Sequence, residues 1–139
     1  MVELIVGANG KGKSKFLIEK VNEEIQKAQG SIVYIDKSIK YMHDLGRGVR
    51  LINIRDYPIR NSDEFFGFLY GILSQDSDLE QIYIDNLHMV ANVLSTDAED
   101  VVSKFEKIGE KHDVKFLASV SWDIADLSQN VRSCVTMSM

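Results

Sequence analysis

Cysteine and proline are nearly absent from this chain of 139 residues, which has one of each. A lone cysteine, Cys134, closes no internal disulfide and has no CxxC partner, which excludes a disulfide-stapled scaffold and a zinc ribbon. The histidines His43, His88 and His112 fall at no metal-ligand spacing and read as surface or core filler. No apolar run approaches the roughly twenty residues needed to cross a bilayer, so no membrane partner is expected. The opening residues MVELIV lack the basic region, long apolar stretch and small-residue cleavage site of a secretory leader. A single cytoplasmic domain over residues 1–139 is expected, long enough to bury a real core. Positive charge is also short: the net charge is −5, which argues against a general nucleic-acid binder.

The charge is uneven, however. Residues 37–60 carry Lys37, Lys40, Arg47, Arg50, Arg55 and Arg60 against Asp44 and Asp56, a local balance of +4 that leaves −9 for the rest. If nucleic acid binds at all, this segment is the candidate surface. Residues 86–103 and 116–131 contain no lysine or arginine to neutralise phosphates. Trp122 and Tyr57 could stack on bases, but lone aromatics more often belong to a core or its rim.

What the chain does have is an alternation of strand and helix patterns. Leu4-Ile5-Val6 reads as a short buried strand running into glycines. Phe16, Leu17, Val21, Ile25 and Ala28 then recur at helical spacing, and Gly30 is expected to end that helix. SIVYID (31–36) and RLINIR (50–55) read as the second and third strands. Ser62 is the expected cap of a helix containing FFGFLYGIL, whose Gly67 and Gly71 would let backbones approach closely. QIYID (81–85) is a fourth strand. Thr96 and Glu99 form an expected capping box for a helix with Val101, Val102, Phe105 and Ile108 on its inner face. FLASV (116–120) is a fifth strand, and a helical turn near 122–128 leads to a last strand near 131–137. Strands and helices alternating at crossover length predict an α/β protein, a three-layer sandwich around a mainly parallel sheet. Ligands of such sheets bind beyond the carboxyl ends of the strands.

GANGKGKS, residues 7–14, stands at such an end and opens a helix. It matches G-x-x-x-x-G-K-[ST] in full through Gly7, Gly12, Lys13 and Ser14. The residues Gly7, Ala8, Asn9, Gly10, Lys11, Gly12, Lys13, Ser14 and Lys15 are therefore the candidate phosphate cradle. The glycines let the backbone curl so that successive N–H groups face an anion, and the helix adds the positive end of its dipole. Lys13 is placed to neutralise the terminal phosphates and Ser14 to ligate Mg²⁺, whereas Lys11 and Lys15 add local positive field. A second element is required, an acidic residue on the metal side, and Asp85, 72 residues after Lys13 at the end of IYID, is preferred over Asp36.

With these motifs the chain resembles the P-loop NTPases of RecA-like type, in the division where an extra strand separates the phosphate-loop strand from the aspartate strand. The resemblance covers nearly the whole chain in element order, from Gly7–Ser14 through VYIDKSIKYMHDLGRGVRLINI and IYIDNL to FLASVS. It implies a strand order of 5-1-4-3-2 plus any extra strand, with ATP and Mg²⁺ as ligands. The spelling G-x-N-G-x-G-K-S is also similar to transporter-type and chromosome-maintenance ATPases, but their serine-glycine-glycine signature is missing. By the same resemblance, a glutamate that activates water follows the aspartate strand or the second strand; here those places hold Asn86 and Asp36-Lys37-Ser38. Asn86 can orient a water without taking its proton, and Ser119 or Ser121 can meet the γ-phosphate at the end of the fifth strand. Lys13, Asn86 and Ser121 are the catalytic candidates, and Asp36 is a stand-in carboxylate or a cap of its strand. Arg47, Arg50, Arg55 and Arg60 are candidate arginine fingers for a neighbouring subunit. The expected function is MgATP binding with weak or partner-dependent hydrolysis, in a switch or assembly factor that meets a protein partner or a second copy. The alternatives are a small-molecule kinase and a degenerate P-loop scaffold. No N-K-x-D motif is present to read guanine.

Overall fold

A computed structural model describes residues 1–139. Six strands form one sheet: β1 (Val2–Val6), β2 (Ser31–Asp36), β3 (Val49–Asn53), β4 (Leu79–Ile84), β5 (Lys115–Val120) and β6 (Val135–Ser138). The helices are α1 (Lys13–Ile25), α2 (Ser62–Gln75), α3 (Leu87–Val90), α4 (Ala98–His112) and α5 (Gln129–Arg132). Every pairing in the sheet is parallel, and the order is β3-β2-β4-β5-β1-β6. The α/β class and the parallel sheet agree with the sequence. Numbered along the chain, the order differs from 5-1-4-3-2, because the extra strand is β3, added at the edge beside β2. With β3 set aside, the other five follow 5-1-4-3-2, and β5 separates β1 from β4.

Side-chain alternation along each strand builds two cores on opposite faces of the sheet. Val2, Leu4, Val6, Val33, Ile35, Ile82, Ile84, Phe116, Ala118 and Val120 face the larger core. There they meet Phe65, Phe66 and Leu69 of α2 and Val101, Val102, Phe105 and Ile108 of α4. Phe105 joins the layers, 5.0 Å from the Phe66 ring and 4.8 Å from the Phe116 ring. Ile5, Ile32, Tyr34, Tyr83 and Leu117 face the other way, onto Leu17, Ile18 and Val21 of α1. The same alternation decides which residues at the strand ends share the face that α1 covers. Asp36 follows the parity of Tyr34, Asp85 that of Tyr83, and Ser119 that of Leu117.

Several local expectations are corrected. Helix α1 ends at Ile25, well before Gly30, whose requirement is space: a Cβ there would overlap the Asp78 carbonyl. Asn61, one residue before Ser62, caps α2 by accepting from Glu64 N–H at 2.9 Å. Gly67 and Gly71 lie on the exposed side of α2 with nothing within 4 Å of a built Cβ, so no close backbone approach uses them. Asp97, rather than the Thr96–Glu99 pair, reaches back before α4, accepting from Leu94 N–H at 3.1 Å. The third strand stops at Asn53 and passes into a 3₁₀ turn over Ile54–Asp56. Residues 129–132 are helical, which shortens the last strand to Val135–Ser138. Trp122 is buried in the larger core, and Tyr57 is exposed with its ring 4.9 Å from Phe68. No helix is long and apolar enough to cross a membrane.

Candidate functional site

The loop between β1 and α1 turns through two left-handed glycines, Gly10 at φ 80° and Gly12 at φ 90°. L-residues with a Cβ rarely adopt that conformation, which explains glycine at both places. Gly12 caps α1, and no side chain accepts from the first turn, so the helix presents uncapped N–H groups toward the loop. That end of a helix attracts anions.

Lys13 is the charged residue around which the loop is wrapped, and only 5% of it is exposed. Its ammonium donates to the carbonyls of Gly7 at 2.7 Å and Ala8 at 2.8 Å and to Ser121 Oγ at 3.1 Å. Those three acceptors use all its protons. Burial pushes its pKa below the usual lysine range, partly offset by the Asp85 carboxylate. Ser121 Oγ in turn donates to Asn9 Oδ1 at 2.6 Å, tying the end of β5 to the loop.

Asp85 is buried immediately beyond β4. Its Oδ1 accepts from Ser119 Oγ and its Oδ2 from the Tyr34 hydroxyl, both at 2.9 Å. Ser119 Oγ also accepts from Asn86 N–H at 2.8 Å. Asn86 sits in the left-handed region at φ 57°, which swings the chain out of the sheet into α3. Tyr34 is wholly buried, and desolvation together with the Asp85 charge raises its pKa, so it remains a neutral donor. One β2–β4 register puts Ile35 opposite Ile84, which places Asp36 and Asp85 side by side. Asp36 Oδ1 accepts from Lys37 N–H at 2.7 Å. Burial, then the nearby Asp85 charge, pushes the Asp36 carboxyl up to about 6. It therefore both terminates its strand and titrates close to neutrality.

Beside these groups opens a polar cleft of about 460 Å³. Asn9, Gly10, Gly12, Lys13, Ser14 and Lys15 form one side, and Lys37, Lys40, Tyr41, Asn86 and Met89 complete it. Gly7, Ala8 and Lys11 do not line it; Gly7 and Ala8 act through their carbonyls beneath the loop. The structure puts Lys13, Ser14 and Asn86 on one cleft, joins Ser121 to Lys13, and links Asp85 to Asn86 N–H through Ser119 Oγ. It does not bring the arginines there. Arg50 pairs with Asp76 at 2.9 Å and Arg60 with Glu64 at 3.6 Å, while Arg47 and Arg55 are exposed.

Three participants escaped the sequence reading. Tyr34 is marked only by its parity with Asp36 and by a strand register that no local pattern encodes. His88, read as filler, accepts from Ser121 N–H through Nδ1 at 3.3 Å. Burial and the Lys13 and Lys37 charges hold its pKa below the usual histidine range. Lys37 lines the cleft, although its composition context pointed to a general basic segment.

The arrangement defines a RecA-like α/β fold with a polar, lysine-lined cleft at the carboxyl ends of its strands. Among solved structures, the chain is similar to the flagellar accessory protein FlaH from Methanocaldococcus jannaschii, at 16% identity and a TM-score of 0.62. The match covers 99% of this chain and 69% of that one, and it shows a shared fold. No protein-family model matches this chain, and no curated protein matches it in sequence.

Proposed function

We propose that the chain binds MgATP through residues 7–15 and works as a nucleotide-controlled switch or assembly factor with weak or partner-dependent ATPase activity. The observation that carries this reading is the buried Lys13 ammonium, wrapped by its own loop and opening onto the cleft beside Ser14 and Asn86. Phosphate oxygens would replace the carbonyl and Ser121 acceptors of Lys13, and the uncapped first turn of α1 would add N–H donors. Ser14 and Asp85 would hold Mg²⁺. Asp85 fits that role because each of its oxygens accepts one bond from a neutral hydroxyl, which orients the carboxylate and leaves lone pairs for a metal-bound water. When bound, Mg²⁺ neutralises charge on the terminal phosphates.

Slow hydrolysis is supported by the cleft itself. No aspartate or glutamate lines it, so Asn86 orients water without accepting its proton. Asp36, buried and bonded to the N–H of the cleft residue Lys37, is the candidate stand-in carboxylate. A protein partner or a second copy would read the nucleotide state and supply what hydrolysis lacks. Calorimetry with MgATP on wild type and Lys13→Ala, with phosphate release followed in the same samples, tests the reading. Wild type is expected to bind and Lys13→Ala to lose at least tenfold in affinity, the value of one charge-assisted contact. Absence of wild-type binding up to millimolar MgATP would refute it and favour the scaffold alternative.

A further inference from the structure

Lys37 is the first residue beyond β2, and its backbone N–H is pinned to Asp36 Oδ1 at 2.7 Å. Its half-buried side chain lines the cleft together with Lys13, Ser14 and Asn86. The ammonium donates to Met89 Sδ at 3.1 Å, and a thioether is a weak acceptor. The other cleft lysines differ: Lys13 is saturated by three oxygen acceptors, while Lys15 and Lys40 are exposed to solvent, Lys40 standing 5.2 Å from the centre of the Tyr41 ring. Lys37 is thus the half-buried cleft cation whose ammonium has only a thioether for an acceptor.

The sheet order says what it faces. From β1 the strands run β5, β4, β2, so their ends present in turn the glycine loop, Ser121, Asp85 with Asn86, and Lys37. At about 4.8 Å per strand, β2 stands roughly 14 Å from β1. An anion anchored in the loop and extending along the strand ends past Asp85 would meet Lys37 next. We propose that Lys37 contacts the terminal phosphate of a nucleoside triphosphate from the wall opposite the loop, so that the site prefers triphosphate to diphosphate. The contact presupposes nucleotide binding by residues 7–15.

Calorimetry with MgATP and with MgADP, on wild type, Lys37→Met and Lys37→Arg, separates the possibilities. One charge-assisted contact predicts that wild type favours MgATP by about 10- to 100-fold. Lys37→Met should bind MgADP as wild type does and lose most of that preference, and Lys37→Arg should restore part of it. A wild type that binds both nucleotides without preference overturns the proposal, as does Lys37→Met retaining the wild-type ratio within about twofold. Equal loss of both nucleotides in Lys37→Met also overturns it, since that marks a general field or a folding defect. In those three cases nucleotide binding by wild type stands. Only a wild type that binds neither nucleotide removes the parent reading and this contact together.

Discussion

Replacing Tyr34 by phenylalanine removes one oxygen from a fully enclosed place and leaves the ring that lies 6.3 Å from Tyr83. The lost bond is the 2.9 Å donation to Asp85 Oδ2, a hydrogen bond to a charged acceptor. Such a bond contributes about 1.5–3 kcal/mol, and the carboxylate oxygen left behind is buried with no replacement donor. Unfolding entropy of about 2.1 cal/mol/K per residue gives roughly 0.3 kcal/mol/K for 139 residues. The expected fall in Tm is therefore about 5–10 °C. Differential scanning calorimetry at neutral pH measures it. A second arm isolates the charge: in an Asp85→Asn background the same substitution breaks a neutral bond and should cost about half as much. A Tm within about 2 °C of wild type, or equal losses in both backgrounds, would refute the claim that Tyr34 stabilises a buried carboxylate.

Two further outcomes follow from the same geometry. Asp36 has its folded pKa raised from 3.8 to about 6, so the folded state holds the proton more tightly. Its favourable contribution is full below 3.8 and is lost as pH rises through about 6. The loss is at most about 3 kcal/mol and smaller wherever water screens the carboxylate. Asp36→Asn keeps an acceptor for Lys37 N–H and does not titrate there, so its stability should gain on wild type between pH 4 and 7. Urea unfolding across that range checks this, and parallel profiles would exclude the assignment. Gly12→Ala forces a Cβ into the left-handed cap of α1 at φ 90°, at a cost of about 1–2 kcal/mol. The substitution should weaken MgATP binding more than it lowers Tm, read by calorimetry on one sample; unchanged affinity would show that the loop conformation does not matter for binding.

Local patterns carried much of this protein. The glycine-rich loop is legible because glycine is the residue that takes φ 80° and 90° at positions 10 and 12 without strain, and Lys13 and Ser14 follow at fixed offsets. The strands are legible because both faces of a parallel sheet are covered, which writes them as short apolar runs. Helix ends were less legible. Asn61 and Ser62 are both good caps by type, and in the fold Asn61 takes the role.

The remaining features are non-local. Which strands neighbour one another, and in what register, depends on packing summed over two cores. No window of sequence states that β2 lies beside β4 or that β3 takes the edge. Those choices bring Tyr34 to Asp85 across 51 positions of chain and put Lys37 on the same cleft as Lys13. The sequence by itself determined the alternating α/β class, the loop and the aspartate candidate, because each rests on the conformational limits of adjacent residues. Only the tertiary structure decided who surrounds that aspartate and what completes the cleft, because hydrogen bonds and charges act through space between residues far apart in the chain.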